Sequence, residues 1–352
     1  MLTMLDYIEQ QPAILKNMTS AHFRDQVADA VNKITDGKDR RNCKLVLIGS
    51  GTSYNAAVAA SHSISVETEI HFPYHFTEYV SLEGYDDNAL FVFISQGGKS
   101  LSTYRALEKV RAWRGTRFAT LALVGEPDTP LALLADGQLP FGCGLEEVIY
   151  RTKGFTSSLL TLILLGEALA GPRHPSVAQE YAAACDLLGP WIEQSKHFFS
   201  THRAELHDLS SLMFIGSGPN AIVALEGSLK AIETVRRPAM CFDLEEFIHG
   251  PQNAVEDSTA LVIVENQQDN GDKAYLLFKT LRQLGKRAYL IAARPPREFA
   301  DFSLTRPVTA IDELTAVIPL QVLSYLTACD IGVDLTRRGF AELTQVIAKA
   351  LP

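Results

Sequence analysis

The sequence predicts two tandem α/β domains, each a parallel sheet flanked by helices on both faces. Three observations carry this. The chain has 352 residues, more than a single hydrophobic core of about 250–300 residues usually accommodates. Apolar runs of strand length alternate with amphipathic stretches of helical period, the pattern of a sheet buried on both sides. That pattern then occurs twice. Composition agrees with a globular chain: 47% of residues are apolar and 21% charged, which sets disorder and low complexity aside. With 32 Lys and Arg against 41 Asp and Glu, the formal charge is −9. Such a balance argues against nucleic acid or an anionic membrane as partner. A small phosphorylated ligand remains compatible with it, since one pocket can be donor-rich on an acidic protein.

Taken in order, residues 1–40 read as a helical segment ahead of the first domain, 41–173. Lys44-Leu-Val-Leu-Ile48 is a strand that ends in Gly49-Ser-Gly51 and passes into a helix over Asn55–His62. In the second domain, 209–335, Leu212-Met-Phe-Ile215 ends in Gly216-Ser-Gly218 and passes into a helix over Asn220–Val235. Ala89–Ile94 matches Ala260–Val264, and amphipathic segments follow at Thr103–Trp113 and Lys273–Leu284. These close on Gly115-Thr-Arg117 and Gly285-Lys-Arg287, and further strands Phe118–Val124 and Ala288–Ala292 complete the match. A connector over 174–208, rich in Ala, Glu and His and punctuated by Pro175 and Pro190, reads as one or two helices. Residues 336–352 form a C-terminal tail.

Met1–Gln11 has neither a basic n-region nor a long apolar run, so it does not read as a secretory signal. The most apolar stretch, Phe155–Ala170, is interrupted by Thr156, Ser157, Ser158, Thr161 and Glu167. It reads as a buried helix, too short and too polar to span a bilayer. Cys43, Cys143, Cys185, Cys241 and Cys329 show no CxxC spacing, and three of them lie in apolar runs where a thiol behaves as a small hydrophobe. The expectation is a reduced cytoplasmic protein with no metal, no disulfide and no cofactor.

Ligands of open α/β sheets bind beyond the carboxyl ends of the strands. Two turns of the first domain lie there: Gly49-Ser-Gly-Thr-Ser-Tyr-Asn55 and Ser95-Gln-Gly-Gly-Lys-Ser100. Both are dense in hydroxyls and glycine and both open a helix, where backbone N–H groups attract an anion. Gly and Ser are also what tight turns and N-caps ordinarily use, so each turn alone is ambiguous. Neither is a Walker loop or a GxGxxG fingerprint, which disfavours a nucleotide cofactor. In the second domain Gly216-Ser-Gly-Pro-Asn220 lacks the Thr-Ser pair and Glu265-Asn-Gln-Gln268 replaces the Ser-Gln turn, so one phosphate site per chain is expected. The second domain concentrates ionisable groups instead. Glu226, Lys230 and Glu233 fall on one helix face, and Asp243-Leu-Glu-Glu-Phe-Ile-His-Gly-Pro251 follows. Spacing alone suits a surface salt-bridge ladder as well as a catalytic group.

At these residues the chain resembles the sugar isomerase (SIS) family in its double-domain form, seen in the isomerase half of glutamine–fructose 6-phosphate transaminases and in ketosamine 6-phosphate deglycases. The resemblance rests on Gly51-Thr-Ser-Tyr-Asn55, Ser95-Gln-Gly-Gly-Lys-Ser100, Thr152-Lys-Gly-Phe-Thr156, Ala224-Leu-Glu-Gly-Ser-Leu-Lys230 and His249-Gly-Pro251, in the family's order. It implies tandem SIS-type domains in which Thr52, Ser53, Ser95, Gln96, Gly97 and Ser100 hold a sugar phosphate. It implies that Glu233 moves a proton between C1 and C2, that His249 assists ring opening, and that Lys230 and Glu226 position Glu233. It also implies a homodimer, with the histidine entering a neighbouring subunit's site.

Departures from the family pattern refine the expectation. No amidotransferase domain precedes the repeat and position 2 is Leu, so glutamine is not expected to supply nitrogen through an N-terminal cysteine. The family's Schiff-base lysine has no match in Thr336-Arg-Arg-Gly-Phe-Ala-Glu-Leu-Thr344, and Lys349 lies outside the resemblance. Lys99 and Arg151 replace the family's usual Glu and Ser, and with Lys153 they are further candidate substrate contacts. A substrate that already carries a C–N bond needs no enzyme lysine to form an imine. The leading expectation is therefore cleavage of an amino-sugar or Amadori-type sugar 6-phosphate by C1/C2 proton transfer. An aldose–ketose isomerase and a non-catalytic sugar-phosphate sensor are the alternatives.

Overall fold

Runs such as Leu45-Val-Leu-Ile48 and Leu90-Phe-Val-Phe-Ile94 are apolar throughout and buried at every position, as strands covered on both faces must be. A computed structural model describes residues 2–113, 118–171, 177–266, 272–309, 311–347 and 349–351. Helices α1 (Met4–Met18) and α2 (Ala21–Ile34) come first. Then follow β1 (Leu45–Ile48), α3 (Thr52–Ser61), β2 (Thr68–His71), α4 (Pro73–Tyr79), β3 (Leu90–Ile94), α5 (Leu101–Ala112), β4 (Ala119–Val124), α6 (Pro130–Leu134), β5 (Gly137–Pro140) and α7 (Lys153–Ala170). After α8 (Val177–His207) come β6 (Ser211–Gly216), α9 (Pro219–Thr234), β7 (Ala239–Asp243), α10 (Leu244–Ile248), β8 (Thr259–Val264), α11 (Lys273–Gln283), β9 (Arg287–Ala292), β10 (Ser303–Thr305), α12 (Asp312–Asp330) and α13 (Ala341–Val346).

Each half forms one five-stranded sheet, in the orders β2-β1-β3-β4-β5 and β10-β9-β8-β6-β7. Every strand pairing is parallel. Matching β1 to β6, β2 to β7, and so on to β5 and β10, makes the two orders the same. The repeat read from the sequence is thus a repeat of topology, and the fold is two SIS-like α/β sheets in tandem. The backbone repeats in detail too. Gly51 (φ +56°, ψ −130°) and Gly218 (φ +52°, ψ −134°) share a left-handed conformation one residue before α3 and α9, where a Cβ is disfavoured.

The six strands marked out by the sequence are all present within a residue or two. Those it left unmarked, β2, β5, β7 and β10, are the outer strands of the two sheets. They are short and only partly buried, so no continuous apolar run announces them. The connector is a single helix, α8, which continues through Pro190; its expected start at 174–176, and the expected closing turn Gly115-Thr-Arg117, lie outside the described residues. Helix α7 has the length and composition of a membrane span, but 83% of it is buried inside the protein, where it packs with α2 and α3.

By contacts the chain forms two compact units, and their boundaries are not the linear ones expected. One unit comprises Ala13–Glu146, Lys153–Ala182 and Phe340–Pro352, and holds the first sheet. The other comprises Met1–Pro12, Glu147–Thr152 and Ala183–Gly339, and holds the second. The tail and the N-terminal helix are therefore parts of the units rather than appendages. In the first, Phe91 meets Phe76, Tyr85 and Phe118 edge-on, and Lys109 Nζ caps the end of α4 on the carbonyls of Phe76, Thr77 and Val80. In the second, the almost wholly buried α12 packs on α9.

Candidate active site

In a sheet ordered 2-1-3-4-5 the crevice opens between strands 1 and 3, where the chain order reverses. β1 and β3 are neighbours there, with Ile48 opposite Phe93, and the two turns singled out in the sequence leave from their ends. The Ser95–Ser100 turn is tied to the adjoining strand. Ser95 N–H donates to Leu123 O at 3.0 Å, and Gly125 N–H donates to Gln96 O at 3.0 Å. Gly98 N–H closes the turn on Ser95 O at 2.9 Å. Gly98 has φ +59°, and a Cβ there would lie 2.1 Å from Thr129 Oγ1, so only glycine fits. The backbone N–H groups of Gln96, Gly97, Lys99 and Ser100 find no acceptor among the described residues. Unpaired N–H groups in a tight turn that opens a helix, here α5, are the makings of an anion nest. Thr52 and Ser53 open α3 beside it, half-buried like Ser95 and Ser100, while Gly97 and Lys99 are exposed.

Gln96 differs from the sequence expectation in how it serves this turn. Its side-chain Nε2 donates to Glu146 Oε2 at 3.2 Å and to Cys143 Sγ at 3.4 Å. Both amide hydrogens are thereby in use, and the residue has only its backbone N–H to offer an anion. Glu146 Oε1 accepts from Lys153 N–H at 3.1 Å. Glu146, Cys143 and Lys153 are each no more than 2% exposed. Burial pushes the Cys143 thiol up to about 11 and pushes the Lys153 ammonium below its ordinary range, against the pull of Glu146. Lys153 is thus a buried support of the turn rather than an open contact. Glu146 has no sequence signal beyond its place in an acidic pair ahead of Thr152-Lys-Gly-Phe-Thr156.

The tail reaches the same turn. Leu101 N–H donates to Lys349 O at 3.1 Å and Leu351 N–H donates to Lys99 O at 2.8 Å, with Ser100 and Ala350 paired antiparallel. Lys349, outside the sequence resemblance, is in this way held beside the phosphate turn.

The second unit carries the ionisable cluster on α9, and its burial argues against a surface ladder. Lys230 Nζ lies 2.6 Å from Glu233 Oε2 and 3.7 Å from Glu226 Oε1. The side chains of Glu226 and Lys230 are 0% and 2% exposed, that of Glu233 30%. A surface ladder would be solvated along its length; this one sinks two of its three charges into the protein, where desolvation is costly. A carboxylate that remains accessible at the rim of such a cluster is the arrangement expected of a general base. Thr234 ties the same helix down, donating to Lys230 O at 2.7 Å.

In this unit the residue that matches Ser95 is a buried carboxylate engaged by protein. Glu265 N–H donates to Ile291 O at 3.0 Å, as Ser95 does to Leu123. The buried Glu265 carboxylate in turn accepts from Ala293 N–H at 2.6 Å and Arg294 N–H at 3.4 Å. Beneath it, Arg306 holds Asp312 with two contacts of 2.6 Å and reaches Glu265 O at 3.1 Å. An internal carboxylate bound to backbone N–H groups leaves little place for an external anion. Gln267 and Gln268, the rest of that turn, lie outside the described residues.

His249 is exposed at the end of α10, its ring without a hydrogen bond among the described residues. The structure does not join it to the Lys230 cluster. Arg151 is half-buried.

Residues 40–170 match the family described as the SIS domain. Over 358 residues, covering 97% of this chain and 58% of the relative, the sequence is 26% identical to an isomerizing glutamine–fructose-6-phosphate aminotransferase of Bacillus licheniformis. The chain thus spans little more than half the length of that relative. The fold matches the C-terminal domain of the glucosamine-fructose-6-phosphate aminotransferase of Francisella tularensis, with a TM-score of 0.79 at 20% identity over 95% of this chain and 98% of that one. It also matches the glucosamine-6-phosphate deaminase of Thermotoga maritima, with a TM-score of 0.76 at 20% identity over 96% and 97%.

Proposed function

From the SIS domain in residues 40–170 and the double sheet that repeats it, we propose that this chain is a sugar-phosphate enzyme acting on an amino-sugar or ketosamine 6-phosphate by C1/C2 proton transfer. The observation that carries the reading is that the backbone N–H groups of Gln96, Gly97, Lys99 and Ser100, on either side of the paired Gly98 N–H, have no acceptor among the described residues. Phosphoryl oxygens suit such a turn, with Thr52, Ser53, Ser95 and Ser100 supplying hydroxyls and Lys99 a nearby charge. Binding energy from the phosphate would orient carbons that do not touch it.

Glu233 would remove the proton from one carbon and return it to the other. Its carboxylate is accessible yet held by Lys230 at 2.6 Å, which fixes its direction. His249 would open the sugar ring or hand a proton to the departing amine. Its exposed ring, which makes no hydrogen bond among the described residues, suits a role in the site of a neighbouring subunit of a homodimer. Cleavage follows because an amine already attached to the sugar becomes an imine after proton transfer and is lost to water.

A second reading, aldose–ketose isomerisation with a tail lysine taking part, is favoured by one observation: the pairing of the tail that sets Lys349 beside Ser100. One assay separates the two. Wild-type protein is incubated with glucosamine 6-phosphate, glucose 6-phosphate and aminoacyl ketosamine 6-phosphates, and free amine and ketose are measured together. Amine release lost in Glu233→Gln supports the first reading. Ketose formation without amine, with borohydride trapping the sugar on Lys349, supports the second. Unchanged turnover in Glu233→Gln contradicts both.

A further inference from the structure

Gln96 is the residue of the phosphate turn whose whole side chain is spoken for. Its Nε2 is held by Glu146 at 3.2 Å and by Cys143 at 3.4 Å. On its other side, a Cβ placed on Gly154 would come within 2.6 Å of Gln96 Oε1, so the amide is wedged against backbone there. The Gln96 carbonyl is anchored a third time by Gly125 N–H at 3.0 Å. Glu146 is the charged member of this support. It is 1% exposed and uses its second oxygen to accept from Lys153 N–H at the start of α7. A buried carboxylate is costly unless it is paired and hydrogen-bonded, and a core position would be filled at less cost by an apolar side chain.

We propose that Glu146 is a positioning residue for phosphate recognition: by clamping the Gln96 amide from below, it holds the Ser95–Ser100 turn in the conformation that leaves its N–H groups unpaired. The inference rests on the phosphate reading of that turn. Its physical content is pre-organisation. A turn whose second residue is fixed on three sides need not be ordered when the anion arrives, so the ligand keeps binding energy that a loose turn would consume. Glu146 does this through Gln96 and without contact to the ligand. Removing either partner should therefore forfeit the same advantage.

A double-mutant cycle on ligand affinity tests this. Binding of glucosamine 6-phosphate and fructose 6-phosphate to the full chain is measured by calorimetry, with glucosamine as the phosphate-free control. Glu146→Ala and Gln96→Ala are each expected to weaken binding by about tenfold, the scale of one buried hydrogen bond to a charged group. The double variant should be no weaker than either single one. Glu146→Gln keeps an acceptor for the Gln96 amide and should recover most of the affinity, which a loss of fold or charge alone would not allow. Melting temperatures without ligand identify a variant that fails to fold, in which case the Glu146→Gln and Gln96→Ala pair completes the comparison. Losses that multiply in the double variant, or wild-type affinity in Glu146→Ala, overturn the inference while leaving the phosphate reading intact. Absence of 6-phosphate binding by the wild-type chain overturns both.

Discussion

Lys230 stands between two carboxylates with 2% of its side chain exposed, and Glu226 beside it has none. Two negative charges share one buried positive charge, so the ammonium is what makes the cluster tolerable. Lys230→Met should remove the ammonium that lies 3.7 Å from Glu226 and 2.6 Å from Glu233. We expect it to destabilise the protein by about 3–5 kcal/mol, the range found when one partner of a buried pair is removed, as read by urea unfolding at pH 7. A loss under 1 kcal/mol would show that the cluster is solvated after all. Legibility at this scale was uneven. Glu226, Lys230 and Glu233 announced themselves by i, i+4, i+7 spacing, though only burial distinguished this cluster from a surface ladder. The hydroxyls and glycines of the two turns were legible because strand-to-helix turns are local. Glu146 was not, because its partner Gln96 is 50 residues away in sequence and nothing in the composition of either segment points to the other.

Helices α8 and α12 are joined at their ends by Asp330, which takes hydrogen bonds from Arg203 and, at 2.7 Å, from His207. The bond from His207, with Arg203 assisting, holds the Asp330 carboxyl below the usual carboxylate range. A carboxyl whose pKa is lower in the folded than in the unfolded chain contributes stability above the unfolded value, near 3.9. That stability is lost as pH falls through the lower, folded value. Asp330→Asn should accordingly melt about 1–2 °C lower than wild type at pH 6, a modest shift because both partners are largely exposed, and equal to it near pH 2.5. Thermal melts across that range check the sign, and a difference that grows toward acid pH would contradict it. Among the elements, the inner strands and amphipathic helices could be read from periodicity. The outer strands could not, since Thr68–His71 and Ala239–Asp243 are half-exposed and carry polar residues. Nor could α12 be read as a helix by period, because it is buried nearly all round and contains Pro319; an apolar run without a polar face has no amphipathic signature.

Across the whole molecule, one topology is used twice and chemically divided. After β3 the first unit carries a turn whose N–H groups of Gln96, Gly97, Lys99 and Ser100 have no acceptor among the described residues, whereas after β8 the second carries the buried Glu265 carboxylate, which accepts from Ala293 and Arg294 N–H. The sequence showed both the repeat and its asymmetry, because each lives in local segments. It did not show that the tail, 340–352, belongs with the first sheet or that the N-terminal helix belongs in part with the second, since those associations join residues some 300 positions apart. The central claim is that the acceptor-less N–H groups of Gln96, Gly97, Lys99 and Ser100 bind a phosphoryl group. Amide hydrogen exchange of the full chain, with and without saturating glucosamine 6-phosphate, tests it most directly. We predict that the segment 96–100 becomes protected by about tenfold or more, with glucosamine itself giving no such protection. Exchange at 96–100 that is unchanged at saturation, or equal protection by the sugar without its phosphate, would contradict the account.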